Sequence, residues 1–157
     1  MTNVVENTVI IREATILDIY NLEKLNKECL PIAYSKLQDL EFILSPYNLC
    51  LVAEEKGQLI GFLIGQYNTN NFHILSIGVK EKYRSRGIGK YMIDILVNNP
   101  KYSKHYNNIT LHVHDLNDKG IKFYKKNNFV INKYYKNYYN GILDSKSQGA
   151  YLMKKNI

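Results

Sequence analysis

The feature that most constrains the fold is a basic glycine loop, Arg84-x-x-Gly87-x-Gly89, which lies between an apolar run and an amphipathic run. Residues 72–79 before the loop have the composition of a strand, and residues 87–97 after it have the periodicity of a helix. The inward positions of that predicted helix are Ile88, Met92, Ile95 and Leu96. The first N–H groups of a helix lack intrahelical partners and carry partial positive charge, so this order favours an anion site.

The chemistry of the loop suits a diphosphate. Gly87 and Gly89 have no Cβ atoms that would keep an anion away from the backbone. Positive charge around them comes from Arg84, Arg86 and Lys90. The spacing differs from the dinucleotide-binding fingerprint Gly-x-Gly-x-x-Gly and from the Walker loop Gly-x-x-x-x-Gly-Lys-Ser/Thr. The other interpretation is a glycine-containing turn that only begins a helix.

The residues upstream of the loop predict a strand, two helices and a hairpin with its turn at residues 55–57. Thr15 and Asp18 have the spacing of a capping box, and the helix that they begin ends before Pro31. Ser35 is placed to cap a second helix, which ends before Pro46. The predicted strands are residues 9–12, 49–53 and 59–65. The apolar helical positions are Ile19, Leu22, Leu25 and Cys29 in the first helix and Leu37, Leu40 and Leu44 in the second.

The residues downstream predict a strand at 108–113, a helix, and two closing strands at 130–138 and 150–153. Asn117 or Asp118 is placed to cap that helix, whose apolar positions include Ile121 and Tyr124. We find no repeats and no interdomain linker. The predicted fold class is therefore α+β, with a single mixed, mostly antiparallel sheet flanked by helices, in one domain over residues 1–157.

Composition limits the cellular setting. The chain has 157 residues, of which 45% are hydrophobic, enough for the buried core of one domain. It has no run of about 18 to 20 apolar residues and no basic-then-apolar leader, so we expect a cytoplasmic protein with no membrane partner. Cys29 and Cys50 are too few for a disulfide framework or a zinc site and are expected to be small core residues, and no metal is expected.

The formal net charge is +7, which suits nucleic acid, a membrane surface or a polyanionic cofactor. The basic residues cluster at 80–86, around the glycine loop, and again at 133–136. Because these clusters are local and do not form one long basic helix, they favour an anion site, and direct nucleic acid binding is not expected.

With these residues in view, the chain resembles the GNAT superfamily of acetyltransferases, whose acyl-CoA motif Arg/Gln-x-x-Gly-x-Gly/Ala is matched by residues 84–89. It is also similar to the catalytic subunit of the NatE N-terminal acetyltransferases (San). That similarity lies in residues 25–26, 30–34, 74–79, 109–113, 117, 123–124 and 137–139. The resemblance implies the GNAT fold, with a sheet that splays at an acetyl-CoA cleft. It further implies acetyl transfer from acetyl-CoA to the α-amine of a protein N-terminus, with a preference for Met followed by a hydrophobic residue.

The resemblance also assigns roles to individual residues. His112 corresponds to a base that acts through a water, His73 stands where the family has a second, tyrosine, group, and Tyr124 corresponds to a residue beside the thioester. The cofactor-binding positions it implies are Ile77, Val79, Arg84, Ser85, Arg86, Gly87, Ile88, Gly89, Lys90, Asn117 and Tyr124. The positions it implies for the acceptor are Leu30, Pro31, Tyr34, Tyr138 and Tyr139.

The residue chemistry agrees with such a reaction but leaves alternatives. An α-amine has a pKa of about 7.7 to 8 and a lysine amine one of about 10.4, so a histidine with a pKa of about 6.5 is a sufficient base for the former. Either His73 or His112 fits, and each could instead be a strand histidine bonded to a neighbour. Metal ligation by His112, His114 and Asp115 lacks further ligands at a useful spacing. Tyr124 and the tyrosines at 134–139 could be packing residues.

Two rival functions remain at this point. The first keeps the fold and changes the acceptor to a polyamine, another small amine or a lysine side chain. The second is a non-enzymatic acetyl-CoA-binding module that docks to nucleic acid or a ribosome. An N-terminal acetyltransferase also permits a ribosome-associated partner subunit. Neither cysteine has an adjacent base in sequence, so direct transfer in a ternary complex is expected.

Overall fold

A computed structural model describes residues 9–157 of the protein, and its strands form one seven-stranded sheet in the order β1-β2-β3-β4-β5-β7-β6. The strands are β1 Ile10–Glu13, β2 Asn48–Glu55, β3 Gln58–Asn68, β4 Asn70–Val79, β5 Tyr106–His114, β6 Val130–Tyr135 and β7 Ala150–Asn156. The helices are α1 Ile19–Cys29, α2 Lys36–Leu44, α3 Ile88–Asn98, α4 Pro100–Ser103 and α5 Asp118–Lys126. Strand β4 pairs with β5 in parallel, whereas β1 with β2, β5 with β7 and β6 with β7 are antiparallel. The predicted α+β fold with a mixed sheet is confirmed.

The chain divides into two compact units. Within the described residues, the first unit comprises 9–65 and Ser76–Asp94, and the second comprises Gln66–Leu75 and Ile95–Ile157. The single domain over residues 1–157 stays a prediction.

Local sequence signals set the elements of the first unit. The capping box is present, because the Asp18 carboxylate accepts from Thr15 N at 2.8 Å and the Thr15 hydroxyl accepts from Leu17 N. Arg12 of β1 forms two hydrogen bonds to the same carboxylate, at 2.8 and 2.9 Å, which tie β1 to the start of α1. The core of this unit is apolar side chains of α1, β2 and β3: Leu22, Leu25, Cys50, Val52, Leu59, Phe62 and Ile64. Cys50 is therefore a core residue as predicted, and Cys29 packs partly buried against the same cluster.

The β2–β3 hairpin is also confirmed. Lys56 and Gly57 have φ angles of 50° and 76°, so both central residues are left-handed, as a tight hairpin turn requires. In β4, Gly78 has a structural reason to be glycine, because a Cβ there would lie 2.7 Å from the Phe62 ring. Residues 77–79 can therefore approach the core of this unit closely only with glycine at the middle position.

The second unit is built on the β5–β7–β6 ladders. Alternate residues of β5 are buried, among them Ile109, Leu111 and Val113, and Phe129 and Met153 of the same unit are buried too. The intervening residues of β5, including Thr110, His112 and His114, are only half-buried and lie on the other face of the strand. Helix α5 begins at Asp118.

Two predictions about helix faces were wrong in detail. Leu37 and Leu44 are 78% and 62% exposed, and α2 instead packs Phe42 and Ile43 against the core. The face of α2 is rotated because the fully buried Asp39 accepts hydrogen bonds from Asn26 of α1. In α3 the predicted Ile88, Met92 and Leu96 are buried, whereas the predicted Ile95 is half-buried and Ile93, which was not predicted, is completely buried.

Two predicted strand boundaries changed, and one helix was not predicted. The strand predicted over 130–138 ends at Tyr135, because β7, with which it pairs, begins at Ala150 opposite that residue. Strand β7 extends to Asn156, beyond the predicted 153. Helix α4 was not predicted, and it begins where the Asn99 side chain accepts from Lys101 N and Pro100 takes the first helical position.

Candidate active site

The glycine loop has the conformation that a helix N-terminal anion site requires. Ser85 and Gly87 have φ angles of 62° and 79°, so the chain turns through two left-handed residues before α3 begins at Ile88. A Cβ at Gly87 would meet no atom within 4 Å, so the need for glycine there is conformational, and the space over the loop is open. The first bond of the helix runs from Tyr91 N to Gly87 O at 2.9 Å, so the amides of residues 88–90 precede the helical ladder.

The basic side chains of the loop are already engaged within the protein. Arg84 Nε donates to Val79 O at 2.8 Å, which fastens the loop to the end of β4. Arg86 forms an ion pair with Glu55 at 2.8 Å, and Lys90 forms one with Asp94. The diphosphate of acetyl-CoA therefore fits this loop mainly through backbone amides, with the three cations lending charge around them.

The end of β4 supplies backbone groups next to this loop. The parallel β4–β5 ladder covers Asn70–Ile74, and the rest of β4, which includes Ile77 and Val79, lies beyond it. Some N–H and C=O groups of these two residues take no part in the β4–β5 ladder. Such groups are suited to hydrogen-bond with the amide groups of a pantetheine arm. Their assignment to the cofactor stays a prediction.

The predicted acceptor residues of the first unit lie in the connection between α1 and α2. Leu30 N donates to Asn26 O at 2.9 Å, and the Leu30 side chain packs against the core. Pro31 is exposed, and Tyr34 packs edge-on against Phe42 with ring centroids 4.9 Å apart. Pro31 is therefore exposed in this connection, while Leu30 and Tyr34 on either side of it pack against the core.

His73 and His112 are neighbours in the second unit. His112 Nδ1 lies 3.3 Å from His73 Nε2, and the ring centroids are 5.0 Å apart. On the other side of His73, Nδ1 lies 2.8 Å from the hydroxyl of Thr110. Burial, and next the charge of His112, lowers the pKa of His73 to about 4, and burial lowers the pKa of His112. Both imidazoles are neutral at pH 7 and able to accept a proton.

The segment after β6 places tyrosines against His112 and His114. Tyr138 stacks on His112 with ring centroids 4.3 Å apart and planes 20° apart. Tyr139 packs edge-on against His114, at 5.6 Å, and perpendicular to Tyr138. Sequence reasoning placed Tyr138 on a strand, whereas the structure places it in the turn segment that follows β6.

Hydrogen bonds hold that segment against β5. The Asp115 carboxylate accepts from Tyr134 at 2.9 Å and from the Ser147 hydroxyl at 2.6 Å. His114 Nε2 lies 2.8 Å from Ser147 O, so the imidazole donates there. Neither Asp115 nor Ser147 was predicted as part of the site, because each acts through residues far away in sequence.

The remaining predicted site residues lie on α5 and at its start. Tyr124 packs against Phe123 and Phe129, and burial raises the pKa of its hydroxyl, which keeps the proton that it could donate. Asn117 caps α5, as predicted, by accepting from Gly120 N at 3.0 Å. That bond engages its side-chain oxygen and leaves its amide nitrogen for a cofactor contact.

Two further findings concern metals and membranes. Within residues 9–157 no three or more His, Cys, Asp or Glu side chains come together in a way that could hold a metal ion. In the same part of the chain, no helix has the length and apolar character needed to span a membrane.

The order of strand β4, basic glycine loop and helix α3 agrees with an acetyltransferase, and the family comparison supports that class. Residues 17–129 match the model of the acetyltransferase (GNAT) family, and the chain belongs to that family. The fold is the GNAT fold.

Similar proteins include one named as an N-alpha-acetyltransferase and one named as a probable N-acetyltransferase. N-alpha-acetyltransferase 50 of Danio rerio is 27% identical over 149 residues, covering 92% of this chain and 86% of its own. The probable N-acetyltransferase san of Drosophila melanogaster is 30% identical over 132 residues, covering 79% of this chain and 71% of its own. Among solved structures, Naa50 of Arabidopsis thaliana with the bisubstrate analogue CoA-Ac-MVNAL has a TM-score of 0.79 and 24% identity, over 95% of this chain and 99% of that one.

Proposed function

We propose that this chain acetylates the α-amine of protein N-termini, with acetyl-CoA as cosubstrate and with Met followed by a hydrophobic residue as the preferred acceptor. The observation that carries the proposal is the pair of neutral imidazoles, His73 and His112, with the ring of Tyr138 stacked on His112. The name of the Danio rerio relative, N-alpha-acetyltransferase 50, supports the α-amine as acceptor. The preference for Met and a hydrophobic residue rests on the resemblance of residues 30–34 and 137–139 to the NatE catalytic subunit.

His112 has the properties of a base for such an amine. Its lowered pKa leaves it unprotonated at neutral pH. An α-ammonium group has a pKa of about 7.7 to 8, within about one unit of neutral pH. It therefore loses its proton easily, and a weak base suffices to remove it. We assign His112 this role, acting directly or through one water. When bound, acetyl-CoA supplies the acetyl thioester.

Other residues bind and assist. The backbone amides of residues 88–90 receive the diphosphate, and backbone groups of Ile77 and Val79 receive the pantetheine arm. Tyr124, whose hydroxyl keeps its proton, donates to the leaving thiolate. Pro31, Tyr34, Tyr138 and Tyr139 contact the first residues of the acceptor.

The test is coenzyme A release from acetyl-CoA with a panel of acceptors. The panel contains peptides that begin with Met-Leu, Ser and Ala, a lysine peptide with a blocked N-terminus, and a polyamine. We expect turnover of free N-termini only, fastest for Met-Leu, and a fall in kcat of roughly 10²- to 10⁴-fold in His112→Ala. The matched control is acetyl-CoA binding by His112→Ala, which should equal that of the unaltered protein.

Two results would contradict the proposal. Fastest turnover of the polyamine or of the blocked lysine peptide would keep the family and change the acceptor. Tight acetyl-CoA binding with no transfer to any amine would indicate a binding module. A ribosome-associated partner subunit and a cytoplasmic location stay predictions from the sequence.

A further inference from the structure

Four polar side chains form a continuous line beside the proposed base, on one face of the β4–β5 ladder. Asn71 and His73 belong to β4, and Thr110 and His112 belong to β5. The Thr110 hydroxyl lies 3.2 Å from Asn71 Oδ1 and 2.8 Å from His73 Nδ1. His73 Nε2 then lies 3.3 Å from His112 Nδ1. Each contact is within hydrogen-bonding distance, so the four side chains form one continuous line of hydrogen bonds.

At the far end of this line of hydrogen bonds, the neighbours of Asn71 fix the orientation of its amide. Asn71 Nδ2 faces both the backbone carbonyl and the side-chain oxygen of Asn108. A backbone carbonyl only accepts, so the atom that faces it must be the amide nitrogen. The side chain of Asn108 is itself oriented by Asn70 O, to which its nitrogen donates at 3.3 Å. The oxygen of the Asn71 amide therefore faces Thr110.

From that point the direction of every hydrogen bond follows. A hydroxyl has one proton, so Thr110 donates to Asn71 and must accept from His73 Nδ1. A neutral imidazole has one N–H, so Nε2 of His73 is an acceptor and His112 Nδ1 is the donor. The lone pair of His112 then resides on Nε2, the nitrogen that does not face His73.

This line of hydrogen bonds requires both imidazoles to be neutral, and their surroundings favour the neutral state. A proton added to His73 Nε2 would face the N–H of His112. Besides the two histidines, the titratable groups whose rings contact His112 are Tyr135 of β6 and Tyr138 of the following segment. Lys133 of β6 lies over the Tyr135 ring, Lys154 of β7 pairs with Thr110 in the ladder, and His114 lies two residues further along β5, next to Asp115.

We propose that Thr110 and Asn71 are positioning residues that, acting through His73, hold His112 in the tautomer whose Nε2 accepts the proton of the acceptor amine. The inference rests on the proposed role of His112 as base. Without Asn71 the Thr110 hydroxyl is free to donate to His73 Nδ1. The donor and acceptor in each of the following hydrogen bonds then exchange. The proton of His112 then moves to Nε2, and the atom that should accept a proton already has one.

The first test is the tautomer itself, which needs no substrate. Nitrogen-15 NMR of the imidazole groups in the ligand-free protein should show His112 protonated at Nδ1 and unprotonated at Nε2. Thr110→Val keeps the β-branched shape and removes the hydroxyl, and it should shift His112 toward the other tautomer. Asn71→Ala should shift it in the same direction. The matched control is Thr110→Ser, which keeps the hydroxyl and should keep the tautomer.

The second test is kinetic and uses the same three variants. In Thr110→Val and Asn71→Ala we expect kcat to fall roughly 10- to 100-fold with an unchanged KM for acetyl-CoA, and Thr110→Ser should restore kcat. Equal thermal unfolding temperatures of Thr110→Val and Thr110→Ser would show that the loss is not one of folding. His112 protonated at Nε2 in the unaltered protein would overturn the proposal, and so would a tautomer shift with no change in kcat. The tautomer measured without substrate separates this inference from the proposed function, since it does not depend on which amine is acetylated.

Discussion

At the scale of single residues, Asp39 shows how a buried charge can join two helices. It is fully buried in the first turn of α2, and both of its oxygens accept from Asn26 Nδ2 of α1, at 2.7 and 2.9 Å. Burial, the largest effect, raises its pKa to about 6, against the opposing hydrogen bond from Asn26. The side-chain oxygen of Asn26 is buried with no partner in the part of the chain that the structure describes. These two residues flank the connection that carries Pro31 and Tyr34.

The first residue-scale prediction is that Asp39→Asn stabilises the protein at neutral pH. Because the folded pKa of about 6 lies above the ordinary value of 3.8, ionisation costs stability as pH rises through that window, and the cost is absent below it. Asn removes this cost, about 2 to 3 kcal/mol above pH 6, and can donate to Asn26 Oδ1. The measurement is the free energy of unfolding of both proteins in urea at pH 4 and pH 7.5.

Asp18→Asn is the control with the opposite sign. The Arg12 hydrogen bonds hold the pKa of Asp18 below its usual range, so its stabilisation is present above the unfolded pKa and is lost as pH falls. This variant should destabilise the protein at pH 7.5 and have a smaller effect in acid. If Asp39→Asn were destabilising at pH 7.5, the buried carboxylate would be a net stabilising partner of Asn26.

At the scale of elements, the glycine loop and the start of α3 act together. Gly87 is left-handed with open space around its Cα, and the amides that follow it precede the helical ladder. The direction of these amides depends on that left-handed conformation. The loop is therefore the element whose backbone geometry, more than its side chains, is expected to determine the affinity for acetyl-CoA.

We expect Gly87→Ala to raise the KM for acetyl-CoA. A left-handed alanine costs about 1 to 2 kcal/mol. If the loop avoids that cost by changing conformation, the KM for acetyl-CoA should rise by the corresponding factor of roughly 5 to 30. Gly57→Ala is the matched control, because Gly57 has nearly the same φ, 76° against 79°, and equally open surroundings. It should lose similar stability and keep KM. Equal KM values for the two variants would contradict the proposed role of the loop.

At the scale of the whole molecule, the question is whether the chain folds as one domain. The sheet order includes all seven strands, and β4 and α3 each contribute residues to both compact units. Elements that contribute to two units favour cooperative unfolding. We therefore propose a single domain and expect one calorimetric transition whose measured enthalpy equals its van't Hoff enthalpy. Two separated transitions would show independent units.

The same calorimetry tests the cosubstrate. At a concentration of 100 times its Kd, acetyl-CoA should stabilise the folded protein by about 2.7 kcal/mol. For a chain of this size that corresponds to a rise in Tm of roughly 5 to 10 °C. Gly87→Ala at the same concentration should show a smaller rise. An unchanged Tm of the unaltered protein with acetyl-CoA would contradict the proposed binding.

Much of this protein could be predicted from its sequence because the relevant interactions are local. The capping box of Thr15 and Asp18, the cap at Asn117 and the hairpin turn at residues 55–57 each involve residues within four positions of one another. The glycine loop is likewise a property of six consecutive residues. Such signals do not depend on the partner strands, so the order of elements and the start of a helix directly after the glycine loop could be predicted from them.

The tertiary structure alone decided which groups meet. His112 and His73 are 39 positions apart, and neither the bond between them nor the role of Thr110 has a local signature. Strand pairing determined these contacts, and the position of Ala150 on β7 determined where β6 ends and Tyr138 turns over His112. The sequence by itself determined which chemical groups the chain carries and where its elements begin. The register of β4 against β5 decided which imidazole nitrogen lies within hydrogen-bonding distance of which partner, because a hydrogen bond forms only when both of its partners are in place.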